Sequence, residues 1–324
     1  MDLLDQRLLN DFQRDLPLVE RPFEAIGIGV GASEGEVLAR YARLVASGTV
    51  SRIGVVFAPH AVGASTLAAM AVPSGRVEEI AAIIDAQPET NHNYEREHRL
   101  NLWFVLTAPR QLALDAAIAR IERAAGLPVL ALPLLEEYHI DLGFDLCSRE
   151  AKKLRREVAV PRALPLSAQE RRLVTSVQDG LALQPRPFEA AARLAGCSAE
   201  QVRTMLAAWL ADGVARRIGV VVKHRALGYA ANAMVVWDVP DAELPQIAQL
   251  LAGHPDVTLC YRRPRHRPDW PYNLFCMIHG RDRDTVLATL AQLRHCPQVI
   301  GIPYEVLFST RCFKQRGARY AEAA

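Results

Sequence analysis

The sequence predicts an α+β protein in which one helical module and one strand-rich module occur twice in tandem. The chain has 324 residues, about twice the length of a typical domain. RPFEA begins at Arg21 and again at Arg186, and RIGVV begins at Arg52 and again at Arg217. Both pairs are separated by the same offset, 165 residues. Two matches at one long offset indicate duplication of a whole unit, because solenoid repeats are only about 20 to 50 residues long.

The first module of each copy is predicted to be a helix-turn-helix followed by a β-wing. Leucines recur at helical spacing between Met1 and Phe12, and a second short helix follows RPFEA. A third helix begins at Ser33, with Glu36 in the register of a capping box. An apolar strand then contains RIGVV. The predicted winged modules span residues 1–60 and 167–225, where Ser167/Glu170 and Ser198/Gln201 supply the matching caps.

The second module of each copy alternates strand and helix signals in the order βαββαβ, which is typical of a ferredoxin-like domain. The predicted domains span residues 61–147 and 226–324. Residues 148–166 contain several Lys and Arg and two prolines, so we expect an exposed connector. The two halves are then expected to pair within one chain as an intramolecular pseudo-dimer. A further homodimer stays open.

Composition limits the classes of function. The hydrophobic fraction is 50% and the net charge is +2, which exclude a disordered chain and any general attraction to nucleic acid or to anionic membranes. The chain opens with acidic residues, unlike a signal peptide, and prolines and glycines interrupt the uncharged stretch 53–75. We therefore expect a cytoplasmic protein without a membrane helix. Six scattered cysteines form no CxxC pair, so the protein alone is expected to hold no metal.

This architecture resembles the leucine-responsive/asparagine-operon (Lrp/AsnC) regulators, whose third helix enters the major groove of DNA. A reading helix needs several cationic or amide side chains. Here the third helices begin with acids and offer only Arg40 and Arg43 in one copy, and Gln201 and Arg203 in the other. DNA is therefore not expected as a partner, and the helices are expected to serve packing. A DNA-binding regulator remains the alternative function.

Two polar segments interrupt the predicted sheets at equivalent positions. In NHNYERE, period-two alternation places His92, Tyr94 and Arg96 on one face of a strand. The second copy, CYRRPRHRPDWPYN, has about five extra residues and combines several cations with Tyr261, Trp270 and Tyr272. Guanidinium groups bind carboxylates in a forked geometry, and aromatic side chains cover flat rings. The ligand that this chemistry favours is a large, flat polyanion.

HNYER with NLWF in one half, and CYRRP with WPYNLFCMIHG in the other, resemble the siroheme decarboxylases, over nearly the whole chain and in the fused form linked to heme d1 biosynthesis. The resemblance implies that two acetate side chains of siroheme lose CO2 to give 12,18-didecarboxysiroheme. It also implies no DNA binding. No cofactor is required beyond the substrate's own iron tetrapyrrole, because the protonated macrocycle accepts the electrons of the broken C–C bond. A non-catalytic tetrapyrrole-binding protein is a further alternative.

Roles for single residues follow from this chemistry. Histidine titrates near neutral pH, so His92 and His266 are the predicted proton donors, with Tyr94 and Tyr261 orienting them or relaying protons. The predicted carboxylate ligands are Arg96 and Arg263, with Arg262 and Arg265 for the remaining side chains and Arg52 and Arg217 as weaker candidates, for which an interdomain ion pair is an equal alternative.

The two copies differ at the predicted site. Leu259 stands where the first copy has His92, so the halves are not equivalent chemically, and the larger arginine set favours a pocket that includes the second-half loop. His224 and His60 are candidates for a contact to the substrate iron. His139 and His279 are expected to pack within the sheet.

Overall fold

A computed structural model describes residues 1–140, 166–223 and 231–320. The first half comprises α1 (Leu3–Asn10), α2 (Pro22–Val30), α3 (Glu34–Ala46), β1 (Val50–Phe57), β2 (Ala64–Met70), α4 (Val77–Ala86), β3 (Thr90–Arg96), β4 (Leu102–Ala108), α5 (Gln111–Ala125), β5 (Leu130–Pro133) and β6 (Glu136–Ile140). The second half comprises α6 (Ala168–Val177), α7 (Pro187–Ala195), α8 (Ala199–Ala211), β7 (Ala215–Val222), β8 (Ala231–Trp237), α9 (Leu244–Gly253), β9 (Val257–Arg262), β10 (Leu274–Gly280), α10 (Arg283–Arg294) and β11 (Tyr304–Gln315).

The two helical modules form one unit with a shared core. Ser167 and Ser198 make complete capping boxes, whereas Ser33 accepts only from the amide of Glu36. The predicted wing strand is present once in each half, as β1 and β7. β1 and β7 pair antiparallel across the halves, with Gly54 opposite Gly219. Each wing strand thus finds its hydrogen-bonding partner in the other half.

Apart from β1 and β7, the strands form one nine-stranded sheet in the order β5-β2-β4-β3-β11-β8-β10-β9-β6. β6 of the first half pairs with β9 of the second, and the last part of β11 pairs with β3 of the first. Each half therefore lends its final strand to the other. The predicted order βαββαβ assigns one final strand to each half. In the first half, residues 129–140 instead form two strands, β5 and β6, and in the second half the final strand β11 is long and reaches Gln315. The strand exchange explains both, because each final strand pairs in two places.

Apolar side chains lie on both faces of this sheet. α4 and α5 cover the outer face of the first half, and α9 and α10 cover that of the second. Between the halves lies a fourth core, which we call the inter-sheet core and which includes Trp103 from β4 together with Met234, Tyr261, Trp270 and Phe275. Because residues of both halves build this core, the tandem duplication forms an intramolecular pseudo-dimer.

Among the described helices, none is long and apolar enough to cross a membrane. The five cysteines in that part of the chain are free thiols. Of the predicted connector 148–166, only Leu166 lies within the described residues.

Candidate functional site

β3 and β9 present matching side chains to the face of the sheet that carries the inter-sheet core. Tyr94 lies opposite Trp103 in the register of β3 and β4, and Tyr261 lies opposite Phe275 in the register of β9 and β10. Directly opposed residues of antiparallel strands point to the same face. Since Trp103, Tyr261 and Phe275 belong to the inter-sheet core, the predicted alternation is confirmed in position for both tyrosines.

Arg96 and Arg263 follow these tyrosines by two residues and make equivalent contacts. Nη1 of Arg96 donates to the carbonyl of Leu307 at 2.9 Å, and Nη1 of Arg263 donates to the carbonyl of Leu132. Each guanidinium also lies over its tyrosine, 5.8 Å from the ring centre for Arg96 and 4.6 Å for Arg263. Both residues are more than nine-tenths buried. Each arginine therefore joins the two halves and places a cation beside an aromatic ring.

The guanidinium of Arg263 is incompletely satisfied. Its Nε is buried and has no hydrogen-bond partner. Desolvation lowers the pKa of Arg263, since burial penalises the charged form. A buried cation whose N–H groups are not all bonded favours an anion that can complete them. Arg263 is therefore suited to bind a substrate carboxylate.

His92 lies at the start of β3, on the same face as Tyr94. The two rings are stacked, with centres 6.2 Å apart and planes 15° from parallel. A strand rises about 3.3 Å per residue, so His92 is about 13 Å along β3 from Arg96. The histidine thus stands at the opposite end of the strand from the turn that follows Arg96. Gln315, near the end of β11, lies opposite it.

The inserted loop of the second half is arranged differently from the prediction. Trp270 is fully buried in the inter-sheet core, 5.2 Å from the ring of Trp103. His266 is exposed and exchanges two backbone hydrogen bonds of 2.7 Å with Trp270. The loop lies at the turn end of the sheet, where Arg99 donates to the carbonyl of Asp269. The structure therefore does not bring His266 into the face that carries His92.

The other cations of this segment have protein partners. Arg265 contacts Asp238 at 2.9 Å and Asp241 at 2.8 Å, and it also donates to two backbone carbonyls. Arg262 is half-exposed and lies 3.8 Å from Asp241 and 4.0 Å from Glu136. These ion pairs hold the loop against the strand ends, so the structure offers no support for Arg265 or Arg262 as substrate ligands.

The weaker candidates also lie elsewhere. Arg217 donates to the carbonyls of Gln13 and Val220, and Arg52 donates to that of Val55, so both contact the backbone of the wing region. Burial lowers the pKa of Arg52. His60 is an exposed turn residue with a φ of 61°. His224 lies outside the described residues.

Two histidines occupy strands as predicted. His139 lies in β6, and His279 lies in β10 with Nδ1 2.8 Å from the hydroxyl of Thr258. Within the described ranges, no group of three or more His, Cys, Asp or Glu residues could hold a metal ion.

Sequence reasoning missed a buried ion pair at the same face. Glu137 in β6 lies opposite Tyr261, and its carboxylate is 2.5 Å from Nη2 of Arg216 in β7. Both side chains are only 16% exposed. Desolvation raises the pKa of Glu137 even though Arg216 opposes that shift. A difference between the two repeats could have indicated this ion pair. The residue before the RIGVV motif is Ser51 in the first copy and Arg216 in the second.

A second unpredicted cluster surrounds Trp270. Nε2 of His98 lies 2.7 Å from a carboxylate oxygen of Glu305, while Nδ1 of His98 accepts from the amide of Leu100 at 2.9 Å. Burial and the nearby Glu305 raise the pKa of Tyr272 to about 12. Because His98 and Glu305 belong to different halves, this cluster fastens the inserted loop across the pseudo-dimer.

The third-helix side chains that the alternative, a DNA-binding regulator, would use are engaged within the helical modules. Arg40 contacts Asp2, Asp5 and Glu36, and Arg43 contacts Asp5 at 2.7 Å. Gln201 closes the capping box with Ser198. Arg203 lines a small cavity of about 170 Å³ together with three acids, Glu20, Glu189 and Glu200. These contacts leave the third helices poorly suited to phosphate.

The fold and these side chains define a class: a fused pair of Lrp/AsnC-like subunits in which the inter-sheet face carries arginine, tyrosine and acid–base groups and the helical modules pack. Residues 61–139 and 226–314 match the family model described as the AsnC-like ligand binding domain. Residues 5–50 and 170–216 match that of the siroheme decarboxylase NirDL-like HTH domain. The chain belongs to the siroheme decarboxylase NirDL family.

Individual relatives agree with this assignment. A siroheme decarboxylase NirDL subunit of Paracoccus denitrificans is 48% identical over 100% of this chain and 99% of its own length. A NirD subunit of Stutzerimonas stutzeri is 51% identical, and the match spans 45% of this chain and 96% of the subunit. A crystal structure of the siroheme decarboxylase NirDL in complex with an iron-uroporphyrin III analogue superposes with a TM-score of 0.71 at 29% identity, covering 98% of this chain and 94% of that one.

Proposed function

We propose that this chain is a carbon–carbon lyase that converts siroheme to 12,18-didecarboxysiroheme by releasing two acetate carboxyl groups as CO2, in heme d1 biosynthesis. The observation that carries the proposal is the buried guanidinium of Arg263, which is incompletely bonded and lies over the ring of Tyr261 at the inter-sheet core. Siroheme is a flat polycarboxylate, and such a site provides both an aromatic surface and a cation. Membership of the siroheme decarboxylase NirDL family supports this chemistry.

Each decarboxylation breaks the bond between the acetate methylene carbon and its carboxyl carbon, and the methylene carbon gains a proton. The electron pair needs a temporary acceptor, which we assign to the substrate's own macrocycle, so we propose no further cofactor. The chain's residues then have two tasks. Arg96 and Arg263 hold carboxylates beside Tyr94 and Tyr261, and His92 supplies a proton from the same face as Tyr94.

The test is anaerobic incubation of the purified chain with siroheme, followed by mass spectrometry of the extracted tetrapyrrole. We expect two successive mass losses, each equal to one CO2. A tetrapyrrole that binds, seen as a shifted absorption band, but keeps its mass would refute catalysis and favour the non-catalytic binding protein. No binding and no conversion would contradict both.

DNA is not a partner in this proposal, because Arg40 and Arg43 are held by the acids of α1. Fluorescence anisotropy with labelled duplexes at low salt measures this directly, since phosphate contacts are strongest there. We expect no sequence-selective binding. A selective complex that weakens when Arg43 is replaced would instead support a regulator. The cytoplasmic location, the further homodimer and the exact domain boundaries stay predictions.

A further inference from the structure

We propose that Glu137 and Arg216 form a second acid and carboxylate-binding pair, so that Glu137, in the strand β6 that pairs with β9, protonates one acetate carbon of siroheme while His92 on β3 protonates the other. This inference rests on the proposed function and assigns the chemistry of the site around β9, which lacks a histidine at the position of His92.

Glu137 lies on the same face of the sheet as Tyr261. The two residues are paired in the register of β6 and β9, and opposed side chains share a face. The ring of Tyr261 lies under the guanidinium of Arg263, 4.6 Å away. Glu137 therefore stands on the inter-sheet face, beside the residues to which the proposed function assigns substrate binding. Arg216 reaches the same place from the wing strand β7.

The guanidinium of Arg216 is incompletely bonded. Its Nη2 donates to Glu137 at 2.5 Å, whereas its Nε and Nη1 are buried without a hydrogen-bond partner. A structural ion pair is normally completed by further bonds, because unsatisfied buried N–H groups are costly. Here two donors remain for an incoming anion. A carboxylate bound by Arg216 places a second negative charge beside Glu137 and favours the protonated, proton-donating form of that residue.

The environment of Glu137 supports the acid role. Burial raises the pKa of its carboxyl above the ordinary value of 4.5. Among the described residues, Arg216 from β7 makes an ion pair with it and Tyr261 from β9 is its partner in the strand register. Helix α9, which packs on β6, contains no titratable residue. The carboxyl is thus paired with one cation, and β7, β9 and α9 contain no acid that competes for the proton.

The sites around β3 and β9 differ in their acid–base groups. The register places Cys312 opposite Tyr94, as Glu137 is opposite Tyr261. The duplication offset places Ser51 where the second half has Arg216. The site around β3 therefore lacks the acid–arginine pair and has His92, whereas the site around β9 has the pair and carries Leu259 at the histidine position. Each site retains one proton donor.

The proposed step is balanced without any oxidant. The methylene–carboxyl bond of the acetate breaks and releases CO2, and its electron pair passes through the macrocycle. A new C–H bond then forms on the methylene carbon with the proton of Glu137. The resulting carboxylate is paired by Arg216 until solvent reprotonates it.

The experiment compares wild type, His92→Gln, Glu137→Gln and the double variant in the anaerobic siroheme assay. The products are separated by chromatography, and their masses are measured by mass spectrometry. We expect each single variant to slow one decarboxylation roughly hundred-fold, as loss of a general acid does. The two variants should accumulate monodecarboxylated products of different retention, and the double variant should leave siroheme intact. Glu79→Gln, in an exposed ion pair with Arg76, is the matched control and should behave as wild type.

Glu137→Asp and thermal melting separate an acid from a structural contact. Glu137→Asp retains a proton donor, so we expect it to keep at least a tenth of the wild-type rate of the Glu137-dependent decarboxylation. Glu137→Gln should not keep that rate. The Glu137-dependent rate should also fall as pH rises through its pKa, because only the protonated form donates. Three outcomes would overturn the inference. Glu137→Gln could give the same products as wild type, the two single variants could accumulate the same product, or Glu137→Asp could fold and be as inactive as Glu137→Gln. If wild type itself leaves siroheme unchanged, the proposed function fails instead.

Discussion

At the residue scale, the burial of arginines on the inter-sheet face lowers the stability of the fold. Removing a guanidinium from water is costly unless its donors are all bonded, and the Nε of Arg263 is unbonded although the guanidinium contacts the carbonyl of Leu132 and the side chain of Tyr261. Proteins retain such residues where a function needs them. We therefore predict that Arg263 contributes more to binding an anion than to the stability of the fold.

This argument predicts opposite responses to Arg263→Met. Methionine keeps the length of the side chain and removes the charge, and replacing a buried charge by an apolar group is often neutral or stabilising. We expect the midpoint of urea unfolding to stay within experimental error of wild type or to rise. Siroheme affinity, measured by absorption titration, should fall at least tenfold, about 1.4 kcal/mol.

Arg76→Met is the control for that comparison, because Arg76 is an exposed member of an ion pair on α4. Both its stability and its siroheme affinity should match wild type. If Arg263→Met unfolds the protein while retaining siroheme affinity in the fraction that stays folded, Arg263 is a structural residue and not a ligand.

At the scale of elements, the wing ribbon joins the halves through close backbone packing. An ideal Cβ added to Gly219 in β7 would lie 2.4 Å from the backbone oxygens of Phe12 and Gln13. The chain after α1 therefore passes directly over the ribbon, and Leu16 donates its amide to the carbonyl of Ile218. This approach requires a residue without a side chain.

Gly219→Ala should destabilise the protein by at least about 2 kcal/mol, because backbone atoms cannot move aside as a flexible side chain can. Gly29→Ala is the matched control: it lies in α2 with nothing within 4 Å of the added Cβ. That substitution should stabilise by about 0.5–1 kcal/mol, since alanine favours helix over glycine. Urea unfolding of both variants measures the difference, and equal effects of the two would contradict this account of the ribbon.

At the scale of the whole molecule, neither half is complete. β6 and β11 each extend the sheet of the opposite half, and the inter-sheet core draws side chains from both. A half alone would expose that apolar face and an unpaired strand edge, which are the usual causes of association or aggregation. The two halves should therefore fold as one cooperative unit.

Dividing the gene within the predicted connector, residues 148–166, tests this expectation. Coexpressed halves should assemble into a tight one-to-one complex with siroheme decarboxylation close to that of the intact chain, measured by light scattering and by the mass assay. Each half alone should be aggregated or self-associated, because its inter-sheet face is uncovered. A stable, monomeric single half would contradict the structural interdependence.

Much of the fold and part of the site were predictable. The repeated RPFEA and RIGVV, the caps at Ser167 and Ser198, and the alternation around Tyr94 are local patterns, and the structure places all of them as expected. The exposure of His266 was not predictable, because the burial of Trp270 and the acids Asp238 and Asp241 decide the path of the inserted loop. Glu137 was overlooked because its partner Arg216 lies 79 residues further along the chain.

The amino-acid order alone determined the duplicated α+β architecture, the family and the residue types available for chemistry, because periodicity, capping and repeated motifs depend on near neighbours. Only the tertiary structure decided which cations are committed to ion pairs, as Arg265 is, and which remain incompletely bonded between the sheets, as Arg263 and Arg216 are. The physical reason is that desolvation and hydrogen bonding depend on what the exchange of β6 and β11 brings together across the two halves.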